Sequence, residues 1–388
     1  MELKLTQPPH RILLGPGPSE APPEVLRVMA TSLLGHLDPV YLQIMDETQD
    51  LLRKVFQTQN EMTFAVPGTG MSAMEACLVN VIEPGEKLVV GIHGFFGTRL
   101  SEIGRRAGAE VIEVNGDWGK PLDAKIMQDT IQKEKPQVVA FVHAETSTGV
   151  LQDPAPIVEA AHEVGAVVVM DAVTSLGGMP LKLDEWDIDA CYSGAQKCLG
   201  APPGASPISY GARAVEKLDA RKKPVQSFYL DLNLLRKYWG TDRAYHHTAP
   251  ISAVYALREA LRLAVEEGLE ARWARHQRHQ KSLVAGLEAM GLKLLVEDPE
   301  LRLWSLTTVR IPDGVDDAAV RKQLLTRNSI EIGGGLGPFK GQVWRVGLMG
   351  YSSSANNVFL LLAALEDALR AQGFSPGAGA IEAAQKAL

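Results

Sequence analysis

Cysteine is scarce: only Cys77, Cys191 and Cys198 occur in 388 residues. Three thiols cannot all pair within one chain, and a chain this long needs no disulfide staples, so reduced thiols in a cytoplasm are expected. Long apolar runs are missing too. None approaches the ~18 residues of a membrane span, and the opening Met1-Glu-Leu-Lys-Leu-Thr-Gln-Pro-Pro9 lacks the apolar centre of a signal peptide. The closing Lys386-Ala-Leu388 does not fit the Ser-Lys-Leu peroxisomal address, whose middle position is basic. These absences point to a cytoplasmic protein with no membrane partner. Positive charge is also short, with 39 Lys+Arg against 46 Asp+Glu and a net charge of −7. Such a balance is poorly suited to neutralising phosphates, so nucleic acid is not an expected partner. Low-complexity composition is absent as well: 46% of the chain is apolar, near the globular norm, which excludes disorder as the main state. The length suggests about two domains.

From about Glu61 to Ser193, short apolar runs alternate with longer amphipathic ones. The pattern predicts strands at Met62–Val66, Lys87–Ile92, Glu110–Val114, Val138–His143, Ala166–Met170 and Ala190–Ser193. Several are rich in Val, and three are apolar throughout, as in strands covered on both faces. Helices are predicted between them at Ser72–Val81, Thr98–Arg106, Ala124–Lys133 and Pro156–Val164. Strands separated by helices mean βαβ crossovers and a mostly parallel sheet. The chain changes character after about Ile251. Ile251–Gly268 and Leu269–Met290 are long helical patterns, followed by a strand at Arg302–Arg310, a helix at Asp317–Asn328, a strand at Gln342–Val346 and a helix from Ser354 to about Gln372. We read the basic cluster Arg272, Arg275, His276, Arg278, His279 and Lys281 as a solvated helix face. The expected organisation is an arm over 1–16, closed by Gly15-Pro-Gly-Pro18, a large domain over 17–267 and a smaller α+β domain over 268–388.

Three constellations bear on chemistry. Asp171 follows Ala166-Val-Val-Val-Met170, at the carboxyl end of a buried parallel strand, where open α/β sheets place ligands. An ionised carboxylate there is costly without a cation or a strong donor. Taken alone, Asp171 reads as the cap of the next turn. Lys197 ends Ser193-Gly-Ala-Gln-Lys197, 26 residues later (197 − 171), and precedes Cys198-Leu-Gly-Ala-Pro-Pro-Gly204, a stretch too rich in Pro and Gly to be helical. A lysine on such a loop is placed to lose solvent, which favours its neutral, nucleophilic form. Lysine and carboxylate together are what pyridoxal phosphate chemistry requires, the first for a Schiff base and the second to keep the pyridine nitrogen protonated. The third constellation, Pro67-Gly-Thr-Gly-Met-Ser-Ala73, joins a strand to a helix and makes a phosphate seat. It also reads G-x-G-x-x-A, but the dinucleotide fingerprint expects an acidic residue ending the next strand, and Leu88–Ile92 ends in His93-Gly94. Ser193 to Lys197 is one residue too long for a serine acyl-transfer pair. Cys191 and Cys198 lack a second ligand pair, and adjacent His246 and His247 would face oppositely in a strand, so no metal site is expected.

With these motifs the sequence resembles the fold type I pyridoxal phosphate enzymes of aminotransferase class V, most of all the alanine–glyoxylate and serine–pyruvate or serine–glyoxylate aminotransferases. The resemblance runs from Leu14-Gly-Pro-Gly-Pro-Ser19 through Thr146-Ser-Thr-Gly-Val150, Asp171-Ala-Val173, Ser193-Gly-Ala-Gln-Lys197, Ala201-Pro-Pro-Gly204, Tyr245-His-His-Thr248 and Gly334-Gly-Leu-Gly-Pro338 to Val343-Trp-Arg-Val-Gly-Leu-Met349. It implies an α/β fold with a large domain built on a mostly parallel sheet and a smaller α+β domain. It implies pyridoxal 5'-phosphate as cofactor, Lys197 as the Schiff-base lysine and Asp171 as the pyridinium partner. Thr69, Gly70, Met71 and Gln196 would hold the phosphate, Gly70 and Met71 through backbone amides, with Tyr245 and Thr248 added from the partner of a homodimer. Thr146 matches a hydroxyl that contacts the cofactor, Val173 packs on the ring and Phe96 takes the stacking position. Arg345, with Gly15, matches the substrate-carboxylate site. Phe96, Met71 and Thr146 depart from the tryptophan, histidine and serine of relatives. The smaller Phe96 ring stacks with less contact area, Met71 offers only its N–H, and Thr146 keeps a hydroxyl on a stiffer rotamer.

The activity so implied is a ping-pong transfer of an amino group from alanine or serine to glyoxylate or pyruvate, with Lys197 moving the Cα proton. Two alternatives stay open on the sequence. One is another reaction of the same cofactor, of the cysteine desulfurase or β-lyase type. The other is a non-catalytic relative acting as a subunit of a complex.

Overall fold

The computed structural model describes residues 8–388, and residues 1–7 of the expected arm lie outside the described residues. Seven strands form the central sheet: β1 (Met62–Gly68), β2 (Lys87–Ile92), β3 (Glu110–Asn115), β4 (Val138–Val142), β5 (Val167–Asp171), β6 (Ala190–Tyr192) and β7 (Gly204–Tyr210). Their order is β1-β7-β6-β5-β4-β2-β3, with β7 antiparallel to both neighbours and the other pairings parallel. β4 and β5 are buried at every position, which accounts for their unbroken Val-rich sequence. Helices α1 (Gly70–Val81), α2 (Phe95–Arg106), α3 (Ala124–Glu134) and α4 (Ala155–Glu163) make the crossovers. The order steps outward from β2 to β3 and then back across to β4. That reversal opens a crevice at the carboxyl ends of the strands, the ordinary ligand position in such sheets.

Strand β7 is absent from the sequence reading because Pro207 and the serines on either side of it interrupt any apolar pattern. It forms nonetheless. Ser193 N–H donates to Pro207 O at 2.9 Å, and the ladder of β7 with β6 begins only at Ile208. The strand expected over Arg302–Arg310 is shorter, covering β8 (Leu306–Arg310), which pairs with β10 (Val343–Gly347), itself paired with β9 (Gly333–Gly334).

Two large apolar cores divide the side chains. One gathers the central sheet and the helices on its faces. The other joins Leu14, Trp344 and Val346 to α6 (Leu269–Ala289), α7 (Asp317–Asn328) and α8 (Ala355–Ala371). The chain before Gly15 belongs to this second core. Ile12–Leu13 pairs in parallel with Ile330–Glu331, and Leu14 is fully buried. Before α6 runs α5 (Ile251–Glu267), linked to it through Gly268 alone.

The basic face of α6 is not solvated. Arg272, His276 and His279 are buried, and only Arg278 and Lys281 of that cluster stand exposed. The charges are tolerated inside because each finds partners. Arg272 donates to Glu267, Gly177 O and Cys198 O, and Arg275 donates to Glu267, Gly350 O and Ser353 O. Glu267 lies just before the helix, but the backbone acceptors lie 74 to 95 residues away, so helical periodicity gives no hint of them. His246 and His247 occupy a loop, not a strand, with their Nδ1 atoms 2.9 Å apart.

Candidate active site

Asp171 ends β5 with its side chain buried at the crevice. It accepts hydrogen bonds from Val173 N–H at 2.8 Å and from the Tyr192 hydroxyl at 2.7 Å. Tyr192 stands beside it in ladder register on β6. Loss of solvent dominates, and burial pushes the carboxyl up to about 7 despite these two donors. A second cation would restore its charge.

Lys197 sits in a single turn of π-helix, Ala195–Leu199, with φ −106° and ψ −125°, outside helical values. The segment expected as a loop therefore winds once and kinks at the lysine, and such short π-turns recur at functional positions. Ser19 fastens the turn, its N–H donating to Gln196 O at 2.9 Å and its hydroxyl to Lys197 O at 2.7 Å. The Lys197 ammonium donates to Pro16 O. Burial, with Arg345 nearby, lowers the amine to about 8, so it gives up its proton more readily than a free lysine does. Gly17 leaves the room for this side chain. Its φ is +103°, and a Cβ there would lie 2.6 Å from Lys197 Nζ.

The turn after β1 faces the same crevice. Thr69 caps α1 through extended backbone and without a side-chain hydrogen bond, leaving the first-turn N–H groups of Gly70 and Met71 open to an anion. Thr69 and Met71 are exposed, whereas Gly70 is buried. A Cβ on Gly70 would stand 3.4 Å from Val173 and 3.7 Å from Gly194, so α1, the Asp171 strand end and the Lys197 turn converge here. The Gln196 side-chain oxygen is buried without a hydrogen-bond partner, an unmet acceptor in an otherwise satisfied turn.

Arg345 enters from β10. Arg345 is 7% exposed, and its guanidinium donates to backbone carbonyls, Gly334 O at 2.7 Å and Thr146 O at 3.2 Å. No carboxylate among the described residues forms an ion pair with it, and burial lowers its pKa to about 10. The buried Glu145 carboxyl, not bonded to it, acts on it at longer range and partly offsets that burial, and a guanidinium bonded to no carboxylate keeps donor capacity for one brought by a ligand. Gly15 lies alongside, its carbonyl so close to Gly347 that a Cβ on the latter has no space.

Two further groups escaped the sequence reading. Tyr192 was noted only as part of a strand, although two strands ending side by side would bring it to Asp171. Glu145, just before Thr146, belongs to no motif of the sequence. It is fully buried and accepts from Ser147 N–H at 2.9 Å, Ser147 Oγ at 2.7 Å and Phe96 N–H at 3.1 Å. It thus ties the half-buried Phe96, in the first turn of α2, to the buried Thr146 loop. Tyr245 and Thr248 stand apart from these groups. Both are exposed, and the Tyr245 ring lies against the His36 ring, at 5.1 Å between centroids.

A surface cleft of about 810 Å³ beside β1 contains none of these residues. Its cations Arg53, Arg236 and Arg243 are already paired with Asp50, Asp219 and Asp46, so it is no anion seat.

Residues 12–354 match the family model described as aminotransferase class-V. The chain belongs to the class-V aminotransferase family. This class-V aminotransferase is 42% identical to the ureidoglycine–glyoxylate aminotransferase of Bacillus subtilis, whose crystal structure superposes with a TM-score of 0.97 over 99% of each chain. The structure of an alanine–glyoxylate aminotransferase from Nostoc sp. matches with 50% identity and a TM-score of 0.94, covering 95% of this chain and 98% of that one. The alanine–glyoxylate aminotransferase of Callithrix jacchus is 43% identical over 371 residues, 95% of this chain and 90% of the relative.

Proposed function

We propose that this class-V aminotransferase uses pyridoxal 5'-phosphate to move the amino group of a small amino acid, alanine or serine, to glyoxylate or pyruvate. The observation that carries the reading is Arg345, a buried guanidinium hydrogen-bonded to backbone carbonyls and to no carboxylate, beside an amine of lowered proton affinity. Its relatives, two alanine–glyoxylate aminotransferases and one ureidoglycine–glyoxylate aminotransferase, favour glyoxylate as acceptor.

The residues fit the cofactor. The unmet Gln196 oxygen and the open N–H groups of Gly70 and Met71 suit a phosphate carrying one ester and one protonated oxygen. Asp171 suits a protonated ring nitrogen, which would supply the missing cation and keep the carboxyl ionised. Val173 and Phe96 offer faces to the ring, and Thr146 a hydroxyl. The bound cofactor supplies an aldehyde for imine chemistry and an electron-accepting ring. Everything else falls to the chain. Lys197 would hold the aldehyde of the cofactor. Arg345 would grip the amino acid's carboxylate and align its Cα–H, and the Lys197 amine would take and return that proton. With only one free clamp, a monocarboxylic substrate is accommodated more readily than a dicarboxylic one.

A homodimer completes the site in this proposal, with Tyr245 and Thr248 reaching the partner's phosphate. Support comes from the exposure of Tyr245 at 63%, Phe228 at 71% and Leu33 at 70%, apolar surface that a second copy would cover. The division at 17–267 and 268–388 suits the two separate cores, and a reducing cytoplasm suits three free thiols. No helix among the described residues is long and apolar enough to cross a membrane. The desulfurase alternative lacks support, since all three cysteines are buried and burial pushes the Cys198 thiol up to about 11.

Initial rates with alanine and glyoxylate varied together test the proposal. Parallel double-reciprocal lines are expected; intersecting lines would exclude a ping-pong transfer.

A further inference from the structure

The buried basic cluster of α6 touches neither Lys197 nor Arg345, yet it grips the backbone beside each. Arg272 is 6% exposed and all three of its donor directions are taken. Its Nη2 donates to Cys198 O at 2.6 Å, the carbonyl immediately after Lys197. Its Nε donates to Gly177 O at 3.0 Å and its Nη1 to Glu267 at 2.6 Å. One turn further on, His276 is fully buried and accepts the Gly350 N–H on Nε2 at 3.0 Å. Because Gly350 N can only donate, Nδ1 of His276 must carry the proton, which it gives to Arg272 O at 2.8 Å. Arg275 completes the hold, donating to Gly350 O at 3.0 Å and Ser353 O at 2.7 Å, and sharing Glu267 with Arg272.

The two gripped segments also touch. Gly350 has φ +57°, and a Cβ there would lie 2.8 Å from Cys198 O, so the turn after β10 rests on the turn that carries Lys197. Gly350 stands five residues after Arg345 (350 − 345) and Cys198 one after Lys197. The single turn from Arg272 to His276 therefore holds both the carbonyl that follows Lys197 and the turn that follows β10, the strand carrying Arg345. A planar guanidinium fixes several acceptors at set angles, which a flexible ammonium does not.

We propose that Arg272 and His276 are positioning residues for amino-group transfer, fixing how far the Lys197 amine stands from the Arg345 guanidinium. This rests on the roles given to Lys197 and Arg345 above. Proton transfer requires the amine and the clamped Cα–H in register, and an error of about 1 Å costs roughly 100-fold in rate.

The test uses Arg272→Lys, His276→Leu and His276→Gln, with Arg278→Ala on the exposed side of the same helix as control. Two measurements are made. Hydrogen–deuterium exchange on the cofactor-free protein reads the backbone of 195–202 and 348–353. Single-turnover reaction of the cofactor-loaded enzyme with alanine separates the apparent Kd from the rate constant. For Arg272→Lys, exchange should rise in both segments together. The rate constant should fall roughly 10- to 100-fold, as for loss of a charged hydrogen bond, while the alanine Kd moves by less than about threefold. His276→Leu should behave alike, and His276→Gln, which restores an acceptor for Gly350, should recover most of the rate. Arg278→Ala should match wild type. Exchange confined to α6, or variants that melt earlier yet turn over at the wild-type rate, would overturn the proposal. Should Arg272→Lys fail to fold, the His276 pair decides the matter alone. A wild-type enzyme with no alanine-dependent spectral change would instead remove the functional reading, leaving the exchange result to judge the bracket.

Discussion

The Tyr192 hydroxyl donates to the Asp171 carboxylate at 2.7 Å across the β5–β6 ladder. This is one of two hydrogen bonds that hold a buried acid in place at the mouth of the sheet. Tyr192→Phe removes the donor without changing the ring. The carboxyl should then hold its proton more tightly and serve a ring nitrogen less well. Cofactor affinity, titrated by absorbance, should weaken roughly 10-fold, in line with about 1.5 kcal/mol for a hydrogen bond to a charged group. An unchanged affinity would separate Tyr192 from the cofactor site.

Asp171 should also mark the pH dependence of the cofactor-free protein. Its folded carboxyl titrates near 7, above its ordinary value of 3.8, because burial disfavours the anion. The folded state thus binds the proton more tightly than the unfolded chain does. This contribution is fully present below the ordinary value, is lost as pH rises toward 7, and then stays constant. Asp171→Asn should lessen the fall in melting temperature across that window and should bind cofactor far more weakly. A wild-type and a variant profile of the same slope would contradict the assignment.

Arg345→Gln should separate substrate binding from cofactor capture. The variant loses the buried guanidinium beside Lys197, so KM for alanine should rise roughly 100-fold, as when a desolvated charged pair loses one member, at about 2–3 kcal/mol. Cofactor should still attach to Lys197. A KM within about threefold of wild type, a range worth under ~1 kcal/mol, would assign the carboxylate elsewhere.

Glu145→Gln keeps the size of the side chain but puts an NH2 group against donors. One of the contacts to Phe96 N–H or Ser147 becomes donor facing donor, which costs about 1–3 kcal/mol when buried. The melting temperature should drop by several degrees, and the visible circular dichroism of the bound cofactor should change as Phe96 loosens. Thr98→Ala, on the exposed side of α2, should alter neither.

Glu145 also illustrates what the sequence held and what it hid. The Val-rich strands and the order of the βα units were plain because each depends on local periodicity. Asp171 and Lys197 were readable because strand ends position them. Helix α2 begins at Phe95, three residues before its predicted start at Thr98, because its first N–H groups are capped by Ser147 and Glu145. A cap lying about fifty residues away leaves no mark in a local pattern. Arg272 and His276 were misread for the same reason: their partners belong to distant turns, and a basic helix face looks solvated until those turns are in place. β7 stayed hidden behind Pro207, which the ladder tolerates because its pairing with β6 starts one residue later.

Everything rests on the amine of Lys197. Reduction of the cofactor-loaded protein with borohydride, followed by proteolysis and mass spectrometry, fixes the cofactor to whichever lysine holds it. The expected result is a pyridoxyl group on Lys197, abolished in Lys197→Ala. A label on another lysine, or none on a protein that still transfers amino groups, would contradict the site described here.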